Sequence, residues 1–334
     1  MAFERFDFDI EKAMSEIKKR KAKKVLLQFP EGIKQFASEI AEKLSKKTQA
    51  EIILSGESNW GGCDLALEEA KTLKADLLIH FGHLPFIKKV NFPVIYIPIK
   101  DNFDISQLLK NSLAELSPYK NLALVSSVQH LHLIQKVKEF YEKNSKQALI
   151  PKAIGFAFSP GHIVGCEYSG LKLIKKDIQA VVAIGNRFHG LGAALAIPNK
   201  PVFLLDTYNN KIEEMSALRN KLIKQRAIAL SRFEKAKDIG IIIGLKPGQK
   251  FGTPNSLKAE LEKLGKNVSL ITMREFTPEK LMNFYNIEAF VELACPRIAT
   301  DDYSKYEKPI LTFRETLVAL KRLSWKKLLN EGFL

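Results

Sequence analysis

The stretch "AEIILSGESNWGGCDLALEEAKTLKADLLIHFGH", residues 50–83, holds an apolar run, a half-polar loop with Cys63 directly after Gly61 and Gly62, a helical segment from Leu65, and a second apolar run. Both runs are rich in Ile and Leu without strict polar alternation, which predicts strands covered on both faces and hence a parallel βαβ unit. The same order recurs along the chain. The first third reads as strand 24–29, helix 33–44, strand 50–56, a helix from Leu65, then strands 75–82 and 94–99. The second reads as strand 121–127, helix 132–143, strand 153–158, helix 170–176, then strands 180–185 and 202–206. The third reads as strand 240–245, helix 255–264, strand 268–273, helix 278–285, then strands 289–294 and 309–313. The expectation is an α/β protein of three similar domains with mainly parallel sheets, over 1–120, 121–215 and 216–334.

Size and composition agree with this reading. A chain of 334 residues exceeds one ordinary core. Hydrophobic residues at 46% and charged residues at 27% are the balance of a soluble globular protein. The longest apolar stretches, such as "IGIIIGL" and "AVVAIG", are strand-length, far short of the roughly 18 residues a membrane span needs. The N-terminus carries Glu4, Asp7 and Asp9 and has no apolar signal-type segment, so a cytoplasmic location is expected. The net charge of +15 raises the question of nucleic acid. The lysines, however, are scattered along helical segments, and no recognition helix, zinc finger or stacking platform is present, so no direct nucleic-acid contact is expected. A basic face suits an acidic protein partner equally well.

Cys63, Cys166 and Cys295 are the chain's three cysteines, one in each expected domain. Each follows a predicted strand, on the rim where ligands gather in open α/β sheets. Taken singly, a free cysteine is usually a small buried hydrophobe. Taken together, three thiolates from one edge would converge about a pseudo-threefold axis and hold one inorganic centre. Disulfides fit poorly with an odd count and a reducing compartment. Structural zinc closes a four-ligand shell, and no CxxC pair or Cys-His finger spacing is present. A 4Fe-4S cluster suits soft thiolates and usually takes four, so three would leave one iron open to a substrate. Gly61, Gly62 and Gly165 would let the backbone approach such a cluster and donate N–H groups to it.

At these residues the chain resembles a known family. "LLQFPEG", "WGGCDLA" with "LLIHFGH", "GHIVGCEYSG", "GNRFHGLGAAL", "GLKPGQ" and "ELACPRIATDD" are similar to the archaeal enzyme family for the first step of diphthamide biosynthesis, over about Val25 to Arg314. That family is a noncanonical radical S-adenosylmethionine enzyme without the clustered CxxxCxxC loop, which is also absent here. One departure is Gly62, where the family's run is expected to carry alanine before the cysteine.

The resemblance implies that Cys63, Cys166 and Cys295 ligate three irons of a 4Fe-4S cluster while the open iron binds S-adenosylmethionine. Reductive cleavage would give methylthioadenosine and a 3-amino-3-carboxypropyl radical that adds to C2 of a histidine imidazole in translation elongation factor 2. It also implies a homodimer and an external electron donor. The cluster would carry the redox chemistry and the fold the orientation.

Other rim residues carry two readings each. His80 and His83 bracket Phe81-Gly82 and either bond within their loop or touch the adenosylmethionine. Gln28 and Gln249 either cap turns or bond the cofactor. Arg187 and His189 either pair on the surface or meet the substrate carboxylate or the incoming histidine. Asp301 and Asp302 either balance a sulfonium or cap a helix, and Gln129 with His130 opens a helix. Competing functions are a quinolinate synthase-like cluster enzyme, a non-catalytic binding subunit, and a nucleic-acid-binding module. A Rossmann methyltransferase is disfavoured, because no G-x-G-x-x-G follows the first strand.

Overall fold

The computed structural model describes residues 5–334. Strand β1 (Phe6–Asp7) and helix α1 (Ile10–Arg20) lead into β2 (Lys24–Gln28), α2 (Ala37–Thr48), β3 (Glu51–Leu54), α3 (Leu67–Thr72), β4 (Leu77–Phe81), β5 (Val94–Ile97) and β6 (Lys100–Asp101). Next come α4 (Ser106–Glu115), β7 (Asn121–Ser126), α5 (Ile134–Lys143), β8 (Gln147–Leu149), α6 (Ser169–Leu173), β9 (Ala180–Gly185), α7 (Arg187–Ala196), β10 (Val202–Asp206) and β11 (Lys211–Glu214). The last portion holds α8 (Ser216–Lys235), β12 (Asp238–Gly244), α9 (Pro254–Lys263), β13 (Asn267–Met273), α10 (Pro278–Met282), β14 (Ala289–Glu292), α11 (Pro296–Asp301), β15 (Ile310–Thr312), α12 (Phe313–Ala319) and α13 (Trp325–Glu331).

Among the described residues β1 and β6 form a small antiparallel pair, and the other strands form three larger sheets, ordered β3-β2-β4-β5, β8-β7-β9-β10-β11 and β13-β12-β14-β15. In each, the first strand in the chain lies between the second and third, with the fourth beyond the third. The threefold repeat expected from the sequence is therefore present in the strand order itself. Pairing within these sheets is parallel except where β11 adds antiparallel to β10. The order reverses between first and third strands, and that crevice is where open α/β sheets bind ligands.

The uninterrupted apolar strands are explained by cover on both faces. In the first sheet, Val25, Leu27 and Ile79 pack with Ile17, Ile40 and Leu44 of α1 and α2, while Leu26 and Leu78 face Leu65, Ala66 and Ala70. The second sheet buries Leu122, Leu124 and Val182 against α5, and Val125, Val181 and Ala183 against α6 and α7. Each such Leu or Val, fully buried, stabilises the fold by about 1.5–3 kcal/mol relative to exposure. Leu108 and Leu109 of α4 sit in the second sheet's core. The 20-residue α8 joins two cores, through Leu222 against Leu191 and Leu195 and through Phe233 beneath the third sheet.

One expected strand is absent. Residues 153–158 form irregular loop and turn, and the second strand of that sheet is β8, ending at Leu149. Gly155 takes φ +67°, and a Cβ there would stand 1.9 Å from Glu167 Oε2. The Phe156 N–H donates to the same carboxylate. Alternating Ile154, Phe156 and Phe158 imitate a strand, but their alternation serves a loop folded over Glu167. Among the described residues no helix is long and apolar enough to cross a membrane.

Candidate metal centre

Two of the cysteines sit in matching tight turns. Asp64 N donates to Gly61 O at 3.0 Å, closing Gly61-Gly62-Cys63-Asp64. Glu167 N donates to Val164 O at 3.0 Å, closing Val164-Gly165-Cys166-Glu167. In both turns glycine stands second and cysteine third. Cys295 is presented differently, just past β14, with Pro296 opening α11 and the Ile298 N–H donating to the Cys295 carbonyl. Cys63 and Cys166 follow the second strand of their repeats, whereas Cys295 follows the third. All three occupy the carboxyl-end rim, but the third is not the topological equivalent of the others.

The three cysteines are half-buried as residues, and protein surrounds each thiol closely enough for burial to raise its pKa, that of Cys166 to about 12. After burial, the charge of Cys63 pushes Cys166 up, and those of Cys166, Glu292 and Cys63 push Cys295 up. The thiols are thus electrostatic neighbours. Yet among the described residues no three His, Cys, Asp or Glu side chains gather tightly enough to hold a metal ion. Loading a metal centre at these cysteines requires the thiol protons to leave.

The first sheet supplies a hydrogen-bonded chain beneath Cys63. Gln28, at the end of β2, donates from Nε2 to Asp64 O at 2.8 Å and accepts at Oε1 from Ala66 N at 3.1 Å. That fixes its amide, so His80 Nδ1, 2.9 Å from Oε1, carries the proton and donates. His80 Nε2 is then an acceptor, and His83 Nδ1 donates to it at 3.0 Å, leaving a lone pair on His83 Nε2. Both imidazoles are neutral: burial holds His80 well below its ordinary pKa and His83 at about 4. Gly82 takes φ +85° against Pro30, where a Cβ would meet Cγ at 2.7 Å.

Contacts between units hold these loops. From the third unit, Lys246 Nζ lies 2.7 Å from Asp64 Oδ2 and 2.6 Å from Glu275 Oε1. Gly248 N donates to Cys63 O at 2.8 Å, and Gln249 Nε2 donates to Cys63 Sγ at 3.5 Å. Arg297 donates to Gly165 O at 3.1 Å and Phe188 O at 2.7 Å, forks onto Asp301, and stands 3.8 Å above the Phe188 ring. The third unit therefore grips the cysteine turns of both the others. Between first and second, Gln129 Nε2 donates to Gly82 O at 3.0 Å, so this residue is a bridge and not the helix cap expected. His130 is buried against Asp101, Ser127 and Thr207.

His189 lies in this neighbourhood. Its Nδ1 donates to Asn186 Oδ1 at 2.8 Å, which leaves Nε2 as acceptor, and burial, then Arg297, pushes its pKa down to about 3. Arg187 stands at the surface, with Nε donating to Glu213 at 2.8 Å. Asp301 is the partner of Arg297. Sequence reading passed over Arg297, Lys246 and His162. The available signal was proximity to cysteine motifs: Arg297 is two residues past Cys295, and His162 precedes Cys166 by four.

Three parallel α/β units, each carrying one cysteine on its carboxyl-end rim, define the class: a three-unit α/β protein. The family described as "Putative diphthamide synthesis protein" matches residues 29–329, and the chain belongs to it. It is 32% identical over 310 residues to 2-(3-amino-3-carboxypropyl)histidine synthase of Pyrococcus horikoshii, covering 92% of this chain and 88% of that protein. To subunit 1 of the synthase from Mus musculus it is 33% identical, covering 96% of this chain and 74% of that protein. Its fold is similar to the crystal structure of Dph2 from Pyrococcus horikoshii with a 4Fe-4S cluster, with a TM-score of 0.87, 29% identity, and cover of 98% and 94% of the two chains.

Proposed function

We propose that this chain transfers the 3-amino-3-carboxypropyl group of S-adenosylmethionine to C2 of a histidine imidazole in translation elongation factor 2, the first step of diphthamide biosynthesis. Cys63, Cys166 and Cys295 would each hold one iron of a 4Fe-4S cluster. The observation that carries the reading is the electrostatic reach of three cysteines, one from each unit, upon one another: Cys63 acts on Cys166, and both act on Cys295. The P. horikoshii relatives, a synthase and a Dph2 structure with such a cluster, support it.

When bound, the cluster supplies the electron that breaks the sulfonium S–Cγ bond and frees the 3-amino-3-carboxypropyl radical. Overall that bond and the imidazole C2–H bond are lost, one C–C bond forms, and methylthioadenosine and a proton leave, so the exchange is redox-neutral. The chain's residues serve this outcome. His83 and His189 are neutral imidazoles with lone pairs at Nε2, able to accept a hydrogen bond, while pKa values pushed down to about 4 and about 3 make them weak bases for the departing C2 proton. Gln28 and His80 fix the Cys63 turn, and Gly82 shapes the rim beside them. Arg187, committed to Glu213, has no part in this reading. An external electron donor and pairing of two copies rest on family membership, and a cytoplasmic site of action agrees with three free cysteines.

The test is anaerobic incubation of the iron–sulfur-loaded protein with dithionite, S-adenosylmethionine and elongation factor 2. The reading expects one 3-amino-3-carboxypropyl group on a single histidine and an equivalent of methylthioadenosine. An unmodified factor, with the cluster loaded and reduced, contradicts it.

A further inference from the structure

We infer that Gln249 tunes the cluster: its side-chain N–H, directed at Cys63 Sγ across the seam between the first and third units, raises the reduction potential and makes the three thiolate ligands unequal. The inference rests on the cluster assignment above and gives Gln249 a role at the sulfur of Cys63.

The contact is built from both sides. Gln249 is buried, with Nε2 3.5 Å from Cys63 Sγ. The turn that carries it, Lys246-Pro247-Gly248-Gln249, is closed by Gln249 N donating to Lys246 O at 3.2 Å. That turn is pressed against the Cys63 turn through the Gly248 N–H to the Cys63 carbonyl. A Cβ on Gly248 would lie 2.8 Å from Cys63 Cα and Cβ, so only glycine permits the approach. Lys246, buried and paired with Asp64 and Glu275, anchors the turn, and its charge acts on Cys63 through space while the Gln249 amide makes the direct contact. Among the described residues, Cys63 alone of the three cysteines receives a side-chain N–H.

A thiolate bound to iron carries more negative charge when the cluster is reduced. A hydrogen-bond donor at that sulfur therefore stabilises the reduced state more than the oxidised one, and the potential rises. An amide does this without titrating, so the effect is constant across physiological pH. Each of the three sulfurs has a backbone N–H beside it, from its own residue at Cys63 and Cys166 and from Arg297 at Cys295, and the Gln249 amide is the additional donor that sets Cys63 apart.

The test compares full-length wild type with Gln249→Met, Gln249→Asn and Gln249→Glu after anaerobic reconstitution. Iron and sulfide are quantified, the midpoint potential is measured by titration followed by electron paramagnetic resonance, and Fe–S stretching bands are recorded in H2O and D2O. The expected result is wild-type loading with a more negative potential in Gln249→Met and a larger shift in Gln249→Glu. The deuterium-sensitive Fe–S band of the wild type should vanish in Gln249→Met. A loaded Gln249→Met with the wild-type potential and the wild-type deuterium shift overturns the tuning role and leaves the functional reading intact. Loss of the cluster from all three variants while the wild type keeps it also overturns tuning, since the position would then serve assembly. A wild type that binds no cluster overturns the functional reading and this inference with it.

Discussion

Lys246 and Asp64 belong to different units yet form an ion pair, Nζ to Oδ2 at 2.7 Å, with both side chains almost wholly buried. The pair ties the third unit's rim to the residue directly after Cys63. Burial raises the Asp64 pKa above its ordinary 3.8, and Lys246 is the main force pulling it back.

Lys246→Met should therefore destabilise the fold by about 3–5 kcal/mol near neutrality, the cost of leaving one member of a buried pair. Without Lys246 the Asp64 pKa climbs further. A carboxyl whose folded pKa lies above its unfolded value lowers stability once pH exceeds the unfolded value. The deficit of the variant should thus be smallest below pH 3.8 and grow as pH rises. Urea unfolding of both proteins across pH checks this, and a pH-independent deficit speaks against it.

Arg297→Lys should loosen the Cys166 turn. Lysine keeps the charge but loses the planar fork that reaches Gly165 O, Phe188 O and Asp301 together. Amide exchange over residues 158–167 should quicken by roughly tenfold or more, with a loss of about 2–4 kcal/mol in stability. Hydrogen exchange resolved by mass spectrometry gives the answer, and unchanged protection would show that the turn holds itself.

Gly192→Ala should cost about 1–3 kcal/mol by overpacking. A Cβ at this position in α7 would fall 1.9 Å from the Tyr168 hydroxyl and 2.3 Å from Arg297 Nη1, both of which must shift. The thermal midpoint of the variant measures the effect, and a wild-type midpoint would mean the two side chains move aside freely.

Asp101→Asn should remove about 2 kcal/mol at neutral pH, because Asp101 accepts from Arg5 and sits 3.1 Å from His130 Nε2. Burial works to raise the Asp101 pKa, but the bonds from His130 and Arg5 prevail and hold it at about 2. A depressed folded pKa gives stability that is complete above the unfolded value of 3.8 and is lost as pH falls through 2. The gap between wild type and variant should close over that interval in acid-unfolding curves, and a gap that persists at the acid end contradicts the assignment.

The parallel three-unit fold was legible because both faces of each sheet are covered, so β2, β7 and β12 read as unbroken apolar runs. Cys63, Cys166 and Cys295 were legible as rim residues, since each lies beyond a strand's carboxyl end. What escaped depended on how units are set against one another. Nothing near Lys246 in the sequence says that it meets Asp64, and nothing near Arg297 says that it meets Gly165. For Gln28 the sequence offers a turn contact or a cofactor contact, and its carbonyl and amino groups are spent on the Cys63 turn, with His80 the partner that the sequence does not announce. The false strand at 153–158 came from periodicity alone, which cannot register the φ of Gly155 or the pull of Glu167 on Phe156.

The most direct test of the central claim is iron and sulfide quantification with Mössbauer spectroscopy on anaerobically reconstituted wild type and on Cys63→Ala, Cys166→Ala and Cys295→Ala. The claim predicts one 4Fe-4S cluster per wild-type chain and its loss or severe depletion in every variant. A full, unperturbed cluster in any one of the three, or none in the wild type, would contradict it.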